Sequence, residues 1–359
     1  MVLTTISGRD EERRDALAGR LFEATLGAFE LFSVYLGDRL GLYAALREHG
    51  PATPIELASA AGIDARYARE WLEQQAVASF LEVDSVEAEP DARRYALPDG
   101  HADVVLDPDH LAPMAPMARF VVGSAQRMPD LLDAYRTGRG VAWSEYGPDV
   151  IEAQAAINRP QFGTHVATSW IPGMPDIDAR LRDGSAARVA DVACGTGWST
   201  IAIARGYPAA RVDGLDLDTG SIEQAKAMLA DLEPGLQERV TFAARDAADP
   251  ALAGRYDLVT IFEALHDMAQ PVAVLRAVRG LLAPGGAVLV ADERVAEQFT
   301  APGDEIERLM YGYSIVMCLA NGLADQRSSA APGIDSRGPQ LSVCSTIAST
   351  TEVAVSPSR

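Results

Sequence analysis

The chain has 359 residues, 48% hydrophobic and 23% charged, a composition typical of a globular protein long enough for two domains. Its formal net charge of −20 repels polyanions, so we expect no nucleic-acid partner. No apolar run reaches the roughly 18 residues that span a bilayer, and the charged amino terminus lacks a signal-peptide core, so we expect a cytoplasmic protein without a membrane partner.

The amino-terminal part shows the order helix, helix, helix, hairpin. Apolar residues recur at helical spacing from Asp15 to His49. Thr53 to Glu56 reads as a capping box with proline at the first helical position, and Asp64 is placed to cap the next helix. Short strands are predicted at 79–83 and 94–97. This order is typical of a winged helix.

We interpret residues 1–105 as a winged-helix dimerisation domain. In the helix that would enter DNA, Arg66 and Arg69 are balanced by Glu70 and Glu73, and the hairpin turn is acidic. Phosphate contacts need net positive charge, so the pattern favours protein interaction over DNA binding. The apolar helices ahead of this region would supply the surface of a homodimer.

Residues 106–180 read as a helical connector that is rich in methionine and aromatic residues. Such residues usually pack in a core, but flexible apolar surface beside a second domain is also where the roof of a pocket comes from. Core packing and a pocket roof both stay open as uses of these side chains. We predict that the segment connects the two domains and contributes the roof of a pocket.

Strands and helices alternate over residues 181–324, which predicts a doubly wound parallel α/β sheet. Strands are predicted at 188–193, 211–215, 240–244, 257–262 and 287–291. The last of them follows the turn Pro284-Gly285-Gly286. Ligands of such sheets bind beyond the carboxyl ends of the strands, where Asp216 and Asp246 lie.

The first of these strands turns through two glycines into a helix, a joint that can hold a ligand. Gly195 and Gly197 remove the Cβ atoms that would keep a ligand from the backbone. NAD and FAD proteins use such a turn too, but the third glycine of their pattern is Thr200 here. Asp191 can orient the loop or reach a cationic ligand. Asp216, 19 residues after Gly197, can accept both hydroxyls of a ribose.

These residues resemble those of class I S-adenosylmethionine-dependent methyltransferases. The matching segments are 191–197, Asp216, 245–247 and 284–286, and the likeness is strongest over 190–292. With the winged helix it extends to the two-domain small-molecule methyltransferases. The resemblance implies a Rossmann-like sheet that binds S-adenosyl-L-methionine. The predicted cofactor-binding residues are Asp191, Ala193, Gly195, Gly197, Asp216, Leu217, Asp246, Ala247 and Glu263.

The same resemblance assigns parts of the cofactor to individual residues. The glycine loop would hold the methionine part, Asp216 the ribose and Asp246 the adenine ring. Ala193 stands where the family frequently has glycine, and this small side chain should still permit close approach. Glu263 would face the cofactor.

His266 and Asp267 follow the fourth strand of the alternating region and look like the His-Asp pair of plant-type small-molecule O-methyltransferases. In those enzymes the histidine deprotonates the acceptor hydroxyl. A phenol is only about 0.1% ionised at pH 7, so a nearby base would assist its attack on a sulfonium methyl. A histidine that merely caps the following helix is an equal alternative. Asp267 would orient the ring or solvate the loop.

The sequence therefore predicts transfer of a methyl group to a hydroxyl of a small aromatic metabolite, with His266 as general base. The alternative is an S-adenosylmethionine-binding regulator without turnover, and an oxidoreductase ranks third. The three cysteines, Cys194, Cys318 and Cys344, show no paired spacing and predict neither a metal site nor a disulfide framework. Residues 325–359, rich in Ser, Thr, Ala and Pro, predict a flexible tail in place of the closing elements of related folds.

Overall fold

The structure, a computed structural model, describes residues 8–183, 187–296 and 298–328. It divides into two compact units between Val122 and Gly123. This division falls inside the predicted connector, and the finer domain limits stay predictions. In the described ranges, no helix combines the length and the apolar character needed to span a bilayer.

The first unit is helical, with one small antiparallel sheet in which Glu82 pairs with Ala96. Its core gathers Tyr43, Leu57, Trp71 and Leu72. Helix α6 extends across the division between the units. The elements are α1 (Gly8–Arg39), α2 (Leu42–His49), α3 (Pro54–Ala61), α4 (Ala65–Val77), β1 (Glu82–Val83), β2 (Tyr95–Ala96), α5 (Asp99–Leu106) and α6 (Met114–Ala125).

The predicted helix starts of the first unit are present. The backbone N–H of Glu56 donates to Thr53 Oγ1 at 3.3 Å, and the N–H of Thr53 donates to Glu56 Oε2 at 2.8 Å. Asp64 Oδ1 accepts from the N–H of Arg66 at 2.8 Å. These bonds satisfy N–H groups that have no partner inside the helix, so helices α3 and α4 begin where the sequence predicts.

The second unit contains the larger sheet and the remaining helices. Its strands are β3 (Arg188–Val192), β4 (Arg211–Asp216), β5 (Val240–Ala244), β6 (Tyr256–Phe262) and β7 (Leu282–Ala291). Its α-helices are α7 (Met128–Thr137), α8 (Pro148–His165), α9 (Pro175–Arg182), α10 (Trp198–Gly206), α11 (Thr219–Ala230), α12 (Pro234–Gln237), α13 (Pro271–Leu281), α14 (Glu305–Tyr313) and α15 (Leu319–Ser328).

The five strands of this sheet are parallel and lie in the order β5-β4-β3-β6-β7. Val192 at the end of the central strand β3 pairs with Leu215 on one side and Ile261 on the other. From β3 the chain first adds β4 and β5 on one side of the sheet. It then crosses to the other side of β3, where it adds β6 and β7. A crevice at the carboxyl ends follows from this reversal, and the predicted doubly wound fold is confirmed.

Strand β7 starts earlier than predicted. It begins at Leu282, which pairs with Tyr256, so the segment Pro284-Gly285-Gly286 lies within the strand instead of before it. The pairing shifts register between Tyr256 and Leu258. A Cβ at Gly286 would lie 2.7 Å from the carbonyl oxygen of Tyr256, so close strand approach requires glycine there.

The carboxyl-terminal prediction is only partly covered by the structure. Helix α15 continues to Ser328 and so passes residue 325, where the flexible tail was predicted to start. Residues 329–359 lie outside the described part of the chain. The predicted tail can therefore be compared with the structure only over its first four positions, and these are helical.

Candidate active site

A cavity of about 730 Å³ lies at the carboxyl ends of the strands, in the second unit. The loops after β3, β4, β5 and β6 form its floor. Further lining residues come from helices α8, α10, α11 and α13, from the α14–α15 region and from the segment 142–144. Parts of the predicted connector, including Trp143 and Phe162, contribute side chains to the wall.

The glycine loop after β3 adopts the left-handed backbone conformation at three positions. Ala193 has φ 57°, Gly195 has φ 52° and Gly197 has φ 91°. Ala193 and Gly195 line the cavity, and nothing lies within 4 Å of a Cβ built on Gly195. A Cβ on Gly197 would instead lie 2.5 Å from the Phe242 ring. Gly195 thus leaves room for a ligand, whereas Gly197 permits packing beneath the loop.

Asp191 lies beneath this loop and is not part of the cavity wall. Its side chain is buried, and its oxygens accept hydrogen bonds from Ser199 Oγ (2.6 Å), Thr200 Oγ1 (2.6 Å) and Thr260 Oγ1 (2.7 Å). Burial raises the pKa of Asp191, although the three hydroxyl groups oppose this shift. Of the two roles that the sequence allows, the structure favours orientation of the loop.

Asp216 connects the ends of β3 and β4. Its Oδ2 accepts from the N–H of Gly195 and its Oδ1 from the N–H of Asp218, both at 2.8 Å. Both oxygens are held in place, yet the carboxylate still lines the cavity together with Leu217. A carboxylate offers about four acceptor positions, so these contacts do not use up its capacity to accept from a diol.

The end of β5 brings two further predicted residues to the cavity. Asp246 and Ala247 both contribute to its lining. Asp246 is exposed, and its Oδ1 accepts from the N–H of Ala248 at 2.8 Å, which fixes the direction of the carboxylate. Ala247 is buried and presents a small apolar surface next to it.

His266 lies in a short 3₁₀ turn, Leu265–Asp267, that begins three residues after the end of β6. Its ring Nδ1 hydrogen bonds to Asp292 Oδ1, and its backbone N–H donates to Asp292 Oδ2 at 3.0 Å. The Asp292 side chain is only 2% exposed. Asp292 therefore makes the orienting contact, while Asp267 lies on the other side of the ring, with Oδ1 3.4 Å from Nε2.

The surroundings of His266 favour its protonated form. Burial alone would lower its pKa, but hydrogen bonds with Asp292 and Cys318 and the charge of Asp267 raise the pKa to about 12. Asp267 Oδ1 is buried without a hydrogen-bond partner. The ring can thus hold a proton firmly while it faces the cavity.

The same three residues, His266, Asp267 and Cys318, bring potential metal-ligand atoms within 4.8 Å of one another. The cysteine spacing does not predict this cluster, because the cluster joins residues about 50 positions apart. A metal ion here would occupy the imidazole nitrogen that a general base needs. Metal analysis of the purified protein is therefore a control for any experiment on His266.

Glu263, the first residue after β6, lines the cavity with φ 50°. Its side chain hydrogen bonds to Glu293, which also lines the cavity. Burial, followed by the charge and hydrogen bond of Glu293, raises the pKa of Glu263 to about 9. One of these two carboxyl groups is thus protonated at neutral pH.

Aromatic and methionine side chains form part of the cavity wall. Trp143, Phe162, Tyr313 and Met317 line it. The ring of Tyr311, on the same helix α14 as Tyr313, packs against Phe299. Trp198 also lines the cavity, and the guanidinium of Arg159 lies 4.3 Å from the centre of its ring.

The cavity fits S-adenosyl-L-methionine by three observations. Gly195 leaves open space beside the loop backbone, Asp216 offers a carboxylate with both oxygens fixed by N–H groups, and Asp246 offers another acceptor at the end of the next strand. Open space beside a backbone loop and two carboxylate acceptors are features that a nucleoside with an amino-acid tail can use.

Comparisons with known proteins agree with this arrangement. Residues 190–288 match the model of a methyltransferase domain, and residues 28–106 match that of the Rv2258c-like winged HTH domain. A ubiquinone biosynthesis O-methyltransferase of Marinobacter nauticus is 38% identical over 107 residues, which are 29% of this chain and 43% of that protein. The chain thus spans less than half the length of this curated relative.

Two solved structures share the fold over most of both chains. The mitomycin 7-O-methyltransferase MmcR has a TM-score of 0.64 and 21% identity, with 87% of this chain and 88% of that chain covered. Human N-acetylserotonin methyltransferase, in complex with SAM, has a TM-score of 0.56 and 20% identity, with coverage of 89% and 88%. At these identities the likeness concerns the fold.

Proposed function

We propose that this chain, which carries an S-adenosylmethionine-dependent methyltransferase domain behind a winged-helix domain, methylates a hydroxyl of a small aromatic acceptor. One observation carries the proposal. His266, held through Nδ1 by Asp292, faces the same cavity as the ligand-binding loop and Asp216. A proton acceptor and a cofactor site in one cavity are what methyl transfer to a hydroxyl requires.

The acceptor would lie on the aromatic side of the cavity. Trp143, Phe162 and Tyr313 offer flat apolar surfaces there, with Met317 beside them. Aromatic rings pack favourably on such surfaces, and thioether sulfur also contacts them well. These side chains support an aromatic acceptor, and its hydroxyl would point at His266.

The loop at Ala193 and Gly195 would hold the methionine part of the cofactor, Asp216 with Leu217 the ribose, and Asp246 with Ala247 the adenine. Asp191 and Gly197 would shape this loop from below. When bound, the cofactor supplies a methyl group activated by a sulfonium sulfur. The residues of this chain position the two partners in line and exclude water from the cavity.

The neutral ring of His266, which the raised pKa makes the minor form at neutral pH, would take the proton of the acceptor hydroxyl on Nε2 as the oxygen attacks. Asp292, hydrogen-bonded at Nδ1, would stabilise the imidazolium that forms and keep the ring in the correct tautomer. Asp267 adds a second negative charge beside Nε2. The proton then leaves to solvent after the methylated product and S-adenosylhomocysteine dissociate.

We further propose that the protein is a homodimer that assembles through α1. This 32-residue helix exposes large apolar side chains along its length. The most exposed of them are Leu17, Leu21, Phe22 and Phe29, each 56% to 61% exposed. A continuous apolar face of this kind is typical of a surface that a second copy covers.

The decisive test incubates the purified, metal-analysed protein with methyl-labelled S-adenosylmethionine and a library of phenols. We expect labelled product and S-adenosylhomocysteine with some members, and a rate about 10² to 10⁴ times lower in His266→Ala. His49→Ala, a change at an exposed histidine of the first unit, is the matched control. An unaltered rate in His266→Ala would remove the base assignment, and cofactor binding without any product would favour the regulator.

A further inference from the structure

The acids at the carboxyl ends of the strands follow the order of the sheet. Asp246 follows β5, Asp216 ends β4 and Glu263 follows β6, with β3 and its glycine loop between the last two. If adenine and ribose occupy the Asp246 and Asp216 end, the methionine part extends past the loop toward β6 and β7. The ammonium group of that part needs an acidic partner on this side.

Asp191 is the acid nearest to the loop in sequence, but it is committed elsewhere. Its carboxylate accepts from the hydroxyl groups of Ser199, Thr200 and Thr260, and it is not part of the cavity wall. Turning it toward a ligand would leave these hydroxyls without their acceptor, which is costly in a buried site. The partner of the ammonium group must come from another residue.

Glu263 and Glu293 are placed for this task. Both line the cavity, on the ends of neighbouring strands β6 and β7, and they hydrogen bond to each other. Two carboxylates in contact cannot both be ionised, so they share one proton. His266 and Asp292 act electrostatically on Glu263. Burial raises the pKa of Tyr313 of α14, and the charge of Glu293 raises it further.

We infer that Glu263 and Glu293 together bind the α-ammonium group of S-adenosylmethionine, which displaces the proton that they share. The inference rests on the cofactor binding proposed above. An ammonium group has three N–H donors and can replace the hydrogen bond of the shared proton, whereas a sulfonium sulfur has no N–H to donate. The exchange balances, because the site gains one cation and releases one proton to solvent while no covalent bond of the cofactor changes.

The proton release can be measured by titration calorimetry at pH 6.5 in buffers that differ in ionisation enthalpy. An α-amino group has a pKa of about 7.7 to 8.0, so the ligands carry their ammonium charge at this pH. The probes are S-adenosylmethionine, S-adenosylhomocysteine, which keeps the ammonium but lacks the sulfonium, and 5′-methylthioadenosine, which lacks both. We expect about one proton released with the first two ligands and none with the third.

Substitutions of the two glutamates test whether the released proton comes from them. Glu293→Gln and Glu263→Gln should abolish the release and weaken both amino-acid-bearing ligands about 10- to 100-fold, because a charge-assisted hydrogen bond is lost. The affinity for 5′-methylthioadenosine should stay within about twofold, which also shows that the variants are folded. Glu305→Gln, at an exposed position of α14, is the matched control and should change nothing.

The outcomes distinguish this inference from the proposed function. Tight binding of S-adenosylmethionine without proton release overturns the carboxyl pair and leaves the methyltransferase proposal standing. Proton release with S-adenosylmethionine but not with S-adenosylhomocysteine would mean that the two glutamates bind the sulfonium group. This result would also overturn the inference. Failure of all three ligands to bind contradicts the proposed function itself, and the pair with it.

Discussion

His266 and Asp292 come from the ends of adjacent parallel strands and are joined twice, through the imidazole Nδ1 and through the backbone N–H of His266. The second contact, 3.0 Å long, fixes the turn that carries the ring. The imidazole is therefore oriented by a residue outside its own loop. A change in Asp292 that keeps its contact with the backbone N–H should therefore alter the protonation of His266 without altering the fold of the turn.

The pH dependence of methyl transfer tests this relationship. The reactive form of His266 is the neutral ring, and the hydrogen bond with Asp292 raises its pKa, so kcat/KM should rise with pH far above the usual histidine range. Asp292→Asn should move the rising limb about 1 to 2 pH units lower, because a charge-assisted hydrogen bond to the imidazolium is lost. Asp292→Glu should keep the alkaline limb, and coincident profiles for all three proteins would refute the assignment.

Asp216→Asn should weaken S-adenosylmethionine about 10- to 100-fold. The carboxylate accepts from two backbone N–H groups and still has acceptor positions left, whereas an amide has one oxygen and cannot serve both N–H groups and a ribose. Calorimetric titration provides the measurement, with the exposed Asp231→Asn as control. Affinities that agree within twofold would mean that the ribose is bound elsewhere.

Asp191→Ala should destabilise the methyltransferase domain by about 2 to 4 kcal/mol, because three buried hydroxyl groups lose their acceptor at once. Urea unfolding followed by circular dichroism measures the loss. Ser199→Ala, which removes only one of the three bonds, should cost about 1 kcal/mol. Equal stability of the Asp191 variant and the parent protein would show that the loop does not depend on this acid.

Phe29→Arg should convert the proposed dimer into a monomer. A charged side chain in the centre of the exposed apolar face of α1 would have to be buried without a partner on assembly. Light scattering coupled to size exclusion gives the mass. Glu23→Arg, a charge change on the same helix outside that apolar set, serves as control, and a dimeric Phe29→Arg protein would move the interface away from α1.

Many of the residues on the proposed cofactor side of the cavity could be predicted, because the patterns that indicate them involve residues close together in the sequence. A strand, two glycines and a helix place Gly195, and one acid at the end of the following strand places Asp216. Helix starts such as Thr53 and Asp64 also follow from a few neighbouring residues, and the structure contains them. The sheet order then follows from the alternation of strands and helices.

The contacts that decide the chemistry were harder to predict. The partner of His266 depends on the register of β6 against β7, and the sequence points first to its neighbour Asp267 instead. Glu293 stands next to Asp292 and gains its role only because Glu263 ends the adjacent strand. Asp191 looks available in sequence, but it bonds to Thr260, which lies 69 positions away. Such pairings need strand register and side-chain direction, and one sequence contains neither.

The contact between Arg159 and Trp198 makes Trp198 an intrinsic fluorescent probe of the cavity. The indole lines the cavity next to the glycine loop, and the guanidinium lies over its ring at 4.3 Å. Indole emission responds to nearby charge and to exclusion of water. Trp143 lies in the wall of the same cavity and shares this sensitivity. Filling of the pocket can thus be followed by ultraviolet fluorescence, without any dye or label.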